Sequence, residues 1–156
     1  MLAGIQLQKK DGTFVSSEEA LKPAKRVALY FSAHWCPPCR KFTPLLKDVY
    51  NEVNENQKQF EVIYVPSDKT EEEMTKYHEE EHGDWFRIPF SETTLRESLR
   101  DYFGKKFDTK TNELVRSGIP CLVILDDDLS TVKAYDGVSE IQNLGSMAVE
   151  MKWIAS

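Results

Sequence analysis

Residues Val27 to Arg40 read VALYFSAHWCPPCR, and this segment specifies a strand, a short connection and the start of a helix. Its first six residues are β-rich and almost wholly apolar, which predicts a central strand covered on both faces. From Pro37 to about Val53, apolar residues recur at spacings of three and four, which predicts a helix kinked at the internal Pro44. Two cysteines, Cys36 and Cys39, therefore lie where a buried strand gives way to a helix.

The spacing of Cys36 and Cys39 suits a reversible disulfide. Side chains three apart in a first helical turn share a face, and their Cα atoms come within the roughly 5.5 Å that a disulfide spans. Unpaired N–H groups and the positive dipole end of the helix stabilise a thiolate on the first cysteine, beside the cations Arg40 and Lys41. We predict that Cys36 attacks a substrate disulfide and that the deeper Cys39 resolves the mixed disulfide.

Two other interpretations of the pair are half of a zinc site and two buried structural thiols. A zinc site needs about four ligands, and the sequence offers only Cys121 as a further cysteine and no second C-x-x-C. An odd number of cysteines also argues against a framework of structural disulfides. The redox interpretation is therefore favoured, with Pro37 and Pro38 stiffening the turn and withholding two N–H donors from the sulfurs.

Strands and helices are predicted on both sides of this unit. An N-terminal β-hairpin is predicted over Gly4 to Ser16, with a short capped helix through Leu21. Further strands are predicted at Phe60 to Val65, Cys121 to Leu125 and Thr131 to Tyr135. Further helices are predicted from Ser67 or Asp68 to about Glu81, from Thr94 to Phe103 and from Glu140 to Trp153. We expect a connector or short edge piece at Arg87 to Phe90 and a loop at Lys105 to Arg116.

The order of these elements predicts the fold class. The early strand–helix–strand unit implies parallel pairing, and the late hairpin implies an antiparallel edge. The fold class is therefore α/β, a mixed central sheet with helices on both faces.

Length and charge narrow the class of protein. With 156 residues, 40% apolar and 29% charged, the sequence predicts a single globular domain over residues 1–156. The net charge of −6 repels phosphate backbones, which argues against a nucleic-acid partner. The start lacks the basic region of a signal peptide, and the longest apolar stretches are far shorter than a bilayer span. We therefore expect a monomer without a membrane partner, in the cytoplasm with the nucleus as a second location, that uses no cofactor or metal.

Ala28 to Pro44, ALYFSAHWCPPCRKFTP, resembles the thioredoxin superfamily and, within it, the tryparedoxin and nucleoredoxin group. Trp-Cys-Pro-Pro-Cys-Arg is the motif of that group, whereas ordinary thioredoxins carry Gly-Pro between the cysteines. The resemblance extends over about Val27 to Tyr135 and includes Val65 to Asp68, Asp84 to Phe90 and Gly118 to Leu122. It implies a thioredoxin-like fold and a protein-disulfide reductase that acts on disulfide-containing proteins with a thiol as electron donor.

The resemblance also implies a wall and a rim around the cysteine pair. The Ile119–Pro120 bond would be cis and would face the pair, with its backbone positioned to bind a substrate strand. Trp35 and Trp85 would contribute to the rim that receives partner proteins, although burial in the core is an equal alternative for Trp85. The residues that would support the motif are Pro37, Pro38 and Arg40.

Three features depart from the common pattern of the superfamily. Tyr30 replaces the buried Asp of ordinary thioredoxins, as it does in tryparedoxin-like proteins, so no obvious carboxylate aids proton transfer at Cys39. The stretch between Phe103 and Gly118 is longer than usual, which we expect to affect the choice of partner. Cys121 stands where Thr is common, and it is either a third thiol near the pair or, as we favour, a small buried strand residue.

Two rival functions follow from other features. His78 to His82 matches H-E-x-x-H, in which two histidines on one helix face bind zinc and Glu79 acts as the general base of a metalloprotease. We regard this match as weak, because glutamate is expected by composition in this acidic run and the helix is expected to face solvent. The stronger rival is a redox-regulated adaptor of the nucleoredoxin type with little turnover, for which Lys105 to Arg116 would contact partners.

Overall fold

A computed structural model describes residues 1–154 of the chain. Its strands are β1 Gln6–Gln8, β2 Phe14–Ser16, β3 Arg26–Ser32, β4 Phe60–Pro66, β5 Phe86–Arg87, β6 Lys105–Phe107, β7 Leu114–Arg116, β8 Cys121–Leu125 and β9 Val132–Ala134. Its helices are α1 Ser17–Leu21, α2 Pro37–Val53, α3 Glu71–Glu81, α4 Thr93–Phe103, α5 Gly137–Leu144 and the π-helical α6 Ala148–Trp153. Within this part of the chain, no helix is long and apolar enough to cross a membrane.

Seven of these strands form one mixed sheet in the order β2-β1-β5-β4-β3-β8-β9. The central strands β3 and β4 pair in parallel along their whole length, and β8 pairs antiparallel with β3. Every residue of these three strands is buried, because helices cover both faces, as continuous apolar sequences require. The predicted mixed sheet, its antiparallel edge and the N-terminal hairpin of β1 and β2 are confirmed.

Alternate residues of β3 point into two apolar clusters on opposite faces of the sheet. Ala28 and Tyr30 pack in the first cluster, together with residues of α2, α3, α5 and α6. Leu29 and Phe31 pack in the second cluster, together with residues of α1 and α4. The helix α2 has its predicted bounds, with Pro44 inside it. Because α2 packs along the first face, its start is held next to the end of β3.

Three elements differ from the sequence prediction in type, number or place in the sheet, and each difference has a physical cause. Lys105 to Arg116 is the two-stranded β6–β7 hairpin rather than a loop, closed by the Asp108 carboxylate, which accepts the N–H groups of its turn at 2.8 and 3.0 Å. The final helix is two helices, because Gly145 adopts a positive φ of 58° between α5 and α6. The short strand β5 lies inside the sheet instead of at its edge, because the N-terminal hairpin pairs outside it.

The acidic helix α3 begins later than predicted and does not simply face solvent. It begins at Glu71, because the Thr70 hydroxyl caps it by accepting the Glu73 N–H at 3.2 Å. His78 on its inner face is fully buried and neutral: its Nε2–H donates to the Trp85 carbonyl at 2.9 Å, and its Nδ1 accepts from the Arg87 guanidinium at 2.7 Å. Burial, with the charge of Arg87 second, lowers the pKa of His78 to about 3.

The burial of His78 predicts a loss of stability in acid. In the unfolded chain the pKa of His78 is near the ordinary value of 6.5, whereas in the folded protein it is about 3. Between these two pH values the unfolded chain binds a proton at His78 and the folded protein does not. The contribution of His78 to the free energy of unfolding is therefore complete above pH 6.5 and falls in acid, by at most about 1.4 kcal/mol per pH unit. Urea unfolding at pH 7 and pH 5 measures this fall. His78→Gln keeps a donor and an acceptor but does not titrate, so it should lose less stability than the wild type, and an equal loss would contradict the prediction.

Candidate redox site

Cys36 caps α2 and Cys39 lies in the first turn of that helix. The Cys36 Sγ accepts the Cys39 N–H at 3.4 Å, the contact that a Ser or Asp side chain makes at an ordinary helix start. Pro37 and Pro38 occupy the first two helical positions, where a missing N–H leaves no intrahelical bond unmade. Both cysteines are free thiols. The structure therefore brings the two sulfurs together at the end of the helix whose dipole favours a thiolate.

The two thiols differ in their surroundings. Cys36 is 4% exposed, and its Sγ–H points to the Ile119 carbonyl at 3.8 Å. Cys39 is fully buried beneath it, packed with Ala33 and Cys36. Burial, with the hydrogen bond to the Cys36 thiol second, raises the pKa of Cys39. Cys39 is thus the deeper thiol of the pair, and burial disfavours its charged form.

The Ile119–Pro120 segment forms a wall opposite the pair. Its peptide bond is cis, and Ile119 packs against the two cysteines. Ser117, two residues before Ile119, is anchored by Arg100 of α4, whose Nη2 donates to the Ser117 carbonyl at 2.5 Å. Gly118 is exposed, with no atom within 4 Å of the point where a side chain would begin. At Gly118 no side chain covers the wall, and the Ile119 carbonyl faces the Cys36 thiol.

Trp35 lies next to Cys36 in the sequence, and its proposed role in receiving a partner protein stays a prediction. The residue is 49% exposed, yet it is held in place because its Nε1–H donates to the Ser67 carbonyl at 3.1 Å. A shallow cleft of about 420 Å³ adjoins it. Glu81 crosses this cleft, with its carboxylate 3.2 Å from Arg40 Nε and 3.8 Å from His34 Nε2. The cationic group next to the motif is therefore partly neutralised by α3.

Trp85 lies in the core and not on the rim, so the structure favours burial, one of the two alternatives that the sequence left equal. It is 1% exposed and packs in the first core cluster, with its ring edge-to-face with Tyr50 at 5.2 Å between centroids. Its Nε1–H donates to His82 Nδ1 at 2.9 Å, so the polar end of the ring has a buried acceptor. Gly83 allows this packing, because a Cβ there would meet the Trp85 ring at 2.5 Å.

The H-E-x-x-H match does not form a metal site. Both ring nitrogens of His78 and the Nδ1 of His82 already have protein partners. Among residues 1–154, no group of three or more His, Cys, Asp or Glu side chains is placed to hold a metal ion. The two histidines belong to the core between α3 and the sheet.

Cys121 is a buried strand residue, apart from the redox pair. It packs in the second core cluster with Val123 and Leu125, whereas Cys36 and Cys39 form their own cluster. Its Sγ lies 4.0 Å from the Lys105 carbonyl, and burial raises its pKa, whereas the Ser117 hydroxyl acts against that rise. This placement agrees with the interpretation that we favoured from the sequence.

Sequence reasoning missed Asp68 as a residue of the site. Its buried carboxylate accepts the His34 N–H at 2.8 Å and the Tyr64 hydroxyl, and burial raises its pKa. Asp68 thereby fixes the backbone of the connection between β3 and α2 at His34, two residues before Cys36. Its position directly after a buried strand, in Val-Pro-Ser-Asp, is the signal that could have indicated it, because adjacent parallel strands end at the same edge of a sheet.

Removal of the Asp68 carboxylate should loosen this connection. Asp68→Ala leaves two buried donors without an acceptor, so we expect the free energy of unfolding to fall by about 2 to 4 kcal/mol. Asp48→Ala on the exposed face of α2 is the matched control and should change stability by no more than about 0.5 kcal/mol. Denaturant unfolding of both variants is the measurement. Equal effects of the two substitutions would contradict the role of Asp68.

Comparison with known proteins identifies relatives over most of the chain. A thioredoxin-like family model matches residues 24–131. Nucleoredoxin of Danio rerio is 37% identical over 102 residues, which are 65% of this chain and 21% of that protein. Tryparedoxin of Trypanosoma brucei brucei is 34% identical over 108 residues, which are 69% of this chain and 65% of that protein. The chain spans about a fifth of the length of the nucleoredoxins of Danio rerio and Arabidopsis thaliana that it matches.

Two solved structures are similar over nearly the whole chain. A thioredoxin from Wuchereria bancrofti is 37% identical, with a TM-score of 0.76, and the match covers 99% of this chain and 97% of that one. A tryparedoxin II complexed with glutathionylspermidine is 28% identical, with a TM-score of 0.74, and the match covers 96% and 92% of the two chains. These similarities confirm the thioredoxin-like fold and the resemblance to the tryparedoxin and nucleoredoxin group.

Proposed function

The chain belongs to the thioredoxin-like family, and we propose that it is a thiol–disulfide oxidoreductase that reduces disulfides in protein substrates. Its tryparedoxin and nucleoredoxin relatives are oxidoreductases with this fold. The observation that carries the proposal is the arrangement at the start of α2. One thiol caps the helix, a second lies in its first turn, and a backbone carbonyl faces the first thiol from the opposite wall.

In the proposed reaction Cys36 supplies the attacking sulfur. Its thiolate bonds to one sulfur of the substrate, the substrate S–S bond breaks, and the departing thiolate takes up a proton. Cys39 then attacks the Cys36 sulfur, which forms the Cys36–Cys39 disulfide and releases the second substrate thiol. Two electrons pass to the substrate, and a thiol donor returns them to the chain. The shallower position of Cys36 and the raised pKa of Cys39 support this order.

We propose that the substrate segment binds along the open backbone of the wall. An extended peptide can pair with the exposed main chain at Gly118 and Ile119, next to the attacking sulfur. Trp35 would cover the other side of the segment, since its ring is exposed but held by Ser67. Arg40 and the two prolines support the motif from its solvent side, and no bound cofactor takes part.

Substitution of each cysteine tests the mechanism. Cys36→Ser should abolish the reduction of insulin with dithiothreitol as donor, because the attacking thiol is removed from the helix cap. Cys39→Ser should slow turnover and accumulate mixed disulfides between Cys36 and the substrate, seen as an added mass that a reductant removes. Cys121→Ser is the control and should keep turnover. Full turnover with no trapped species in Cys39→Ser would contradict the two-thiol mechanism.

A second candidate function is a redox-regulated adaptor, and the β6–β7 hairpin supports it. Phe107 and Leu114 lie opposite each other on the hairpin and are 52% and 41% exposed. Adjacent apolar side chains at this exposure are typical of surfaces that contact other proteins. The hairpin leads into the Ile119–Pro120 wall, so a partner bound there would adjoin the redox pair.

Turnover distinguishes the two functions. With excess dithiothreitol, an oxidoreductase reduces many insulin disulfides per protein molecule. An adaptor would instead hold a partner in a stoichiometric complex whose stability changes with the redox state of the pair. Multiple turnover is the result that we expect, and stoichiometric binding without turnover would favour the adaptor.

The remaining features of the protein are also proposals. We propose a single domain over residues 1–156, of which residues 155 and 156 lie outside the described part. We propose a monomer located in the cytoplasm, with the nucleus as a second location. We further propose that it has neither a nucleic-acid nor a membrane partner, and the net charge of −6 supports the first of these.

A further inference from the structure

Four buried hydroxyl groups form a continuous chain behind Cys39. They belong to Tyr30 and Ser32 of β3, Thr43 of α2 and Tyr77 of α3, and all four side chains are fully buried. The Ser32 hydroxyl lies 2.7 Å from that of Tyr77, which lies 2.6 Å from Thr43 Oγ1, and Thr43 Oγ1 lies 2.7 Å from the Tyr30 hydroxyl. Three different elements therefore meet in one hydrogen-bonded chain.

Both ends of this hydroxyl chain contact Cys39. At one end the Ser32 hydroxyl and the Ala33 backbone N–H face the Cys39 sulfur, where both favour the thiolate and lower its pKa. At the other end Thr43 Oγ1 donates to the Cys39 carbonyl at 2.9 Å, and the Tyr30 hydroxyl lies 3.4 Å from the same carbonyl. The direction of the hydrogen bonds along the chain is thus linked to the protonation of the Cys39 sulfur.

The available hydrogens allow one direction when Cys39 is a thiol. When Thr43 donates to the Cys39 carbonyl, its oxygen accepts from the hydroxyls of Tyr30 and Tyr77. Tyr77 then has no hydrogen left for Ser32, so the Ser32 hydroxyl donates to Tyr77. In this direction Ser32 donates nothing to the Cys39 sulfur, whose single hydrogen is directed to Cys36.

The same atoms allow the opposite direction when Cys39 is a thiolate. The Ser32 O–H turns to the sulfur, the Tyr77 O–H donates to Ser32, and the Thr43 O–H donates to Tyr77. The carbonyl that Thr43 releases is then within reach of the Tyr30 O–H. Only hydroxyl hydrogens rotate, and every polar group keeps a partner.

We propose that this hydroxyl chain reverses its hydrogen bonds when Cys39 ionises and thereby stabilises the thiolate that resolves the mixed disulfide. The inference rests on the proposed function and deepens it. In the resolving step the Cys39 sulfur gives up its proton and bonds to the Cys36 sulfur, and the bond from Cys36 to the substrate sulfur breaks. The departing substrate thiolate takes up the proton. The four residues are positioning residues, because none of them contacts the substrate.

The electrostatics of the pocket explain why such a device is needed. Burial raises the pKa of Cys39, whereas the hydrogen bonds from Ser32 and Ala33 act against that rise. The titratable groups that face Cys39 are Cys36 from its own helix, Tyr30 from β3 and Tyr77 from α3. Burial raises the pKa of Tyr77 to about 12 and also raises that of Tyr30, so both remain protonated donors at neutral pH. Oriented hydroxyl dipoles therefore act where ordinary thioredoxins have a carboxylate.

Dithiobisnitrobenzoate, a chromogenic disulfide, allows the rates of the two thiol steps to be measured separately. It releases one coloured thiolate when Cys36 attacks and a second when Cys39 resolves the mixed disulfide. All proteins carry Cys121→Ala, so the third thiol releases none. In Tyr77→Phe and Thr43→Val the hydroxyl chain is cut. We expect the second release to slow roughly 10- to 100-fold at neutral pH, the effect of losing a hydrogen bond to a charged group, and its pH profile to move to higher pH. The first release should not change.

Two matched variants separate this role from a merely structural one. Thr43→Ser keeps the hydroxyl and should restore the fast second release that Thr43→Val loses. Tyr50→Phe removes another buried hydroxyl, which is not part of the hydroxyl chain and donates to Glu61 at 2.9 Å. This variant should leave both releases unchanged. A wild-type second release in Tyr77→Phe and Thr43→Val, or an equal slowing in Tyr50→Phe, would overturn this inference alone. Release of a single equivalent when Cys36 and Cys39 are both present would overturn the proposed function and this inference with it.

Discussion

The junction between β3 and α2 is held from the side by the end of β4. The Ser67 N–H donates to the Ser32 carbonyl at 2.9 Å, and the buried carboxylate of Asp68 accepts the His34 N–H at 2.8 Å. With two backbone groups of the junction fixed, α2 begins where the Cys36 sulfur takes the place of an ordinary capping side chain. The geometry of the cysteine pair therefore depends on the parallel pairing of β3 with β4, and the C-x-x-C spacing alone would not produce it.

This placement gives two similar thiols different chemistry. The first lies at the helix cap, against the backbone carbonyl of Ile119 and beside the exposed ring of Trp35. The second lies one turn deeper, where burial disfavours its charged form and hydroxyl groups are the polar partners. Disulfide exchange by two thiols requires this asymmetry, because the attacking sulfur must contact the substrate, whereas the resolving sulfur reacts only after the mixed disulfide has formed. One helix end, packed on one face of a buried sheet, provides both environments.

Local signals predicted the centre of the fold, and the features that escaped prediction depend on contacts distant in sequence. The strand β3 and the helix α2 follow from hydrophobic periodicity, and the cysteine pair follows from its position between them. The burial of Trp85, which the sequence left open, depends on ring contacts with Tyr30 of β3 and Tyr50 of α2. The interior position of β5 depends on a hairpin from the start of the chain. The role of Asp68 depends on two parallel strands ending side by side, which a single sequence does not reveal.

Peptide mapping of the oxidised protein tests most directly whether Cys36 and Cys39 form the redox pair. The reduced protein is oxidised with glutathione disulfide, the remaining free thiols are alkylated, and the peptides are identified by mass. We expect one disulfide that joins Cys36 to Cys39, reversal by a thiol reductant, and an alkylated Cys121. A disulfide that includes Cys121, or oxidised protein in which all three thiols remain open to alkylation, would contradict the two-thiol redox centre.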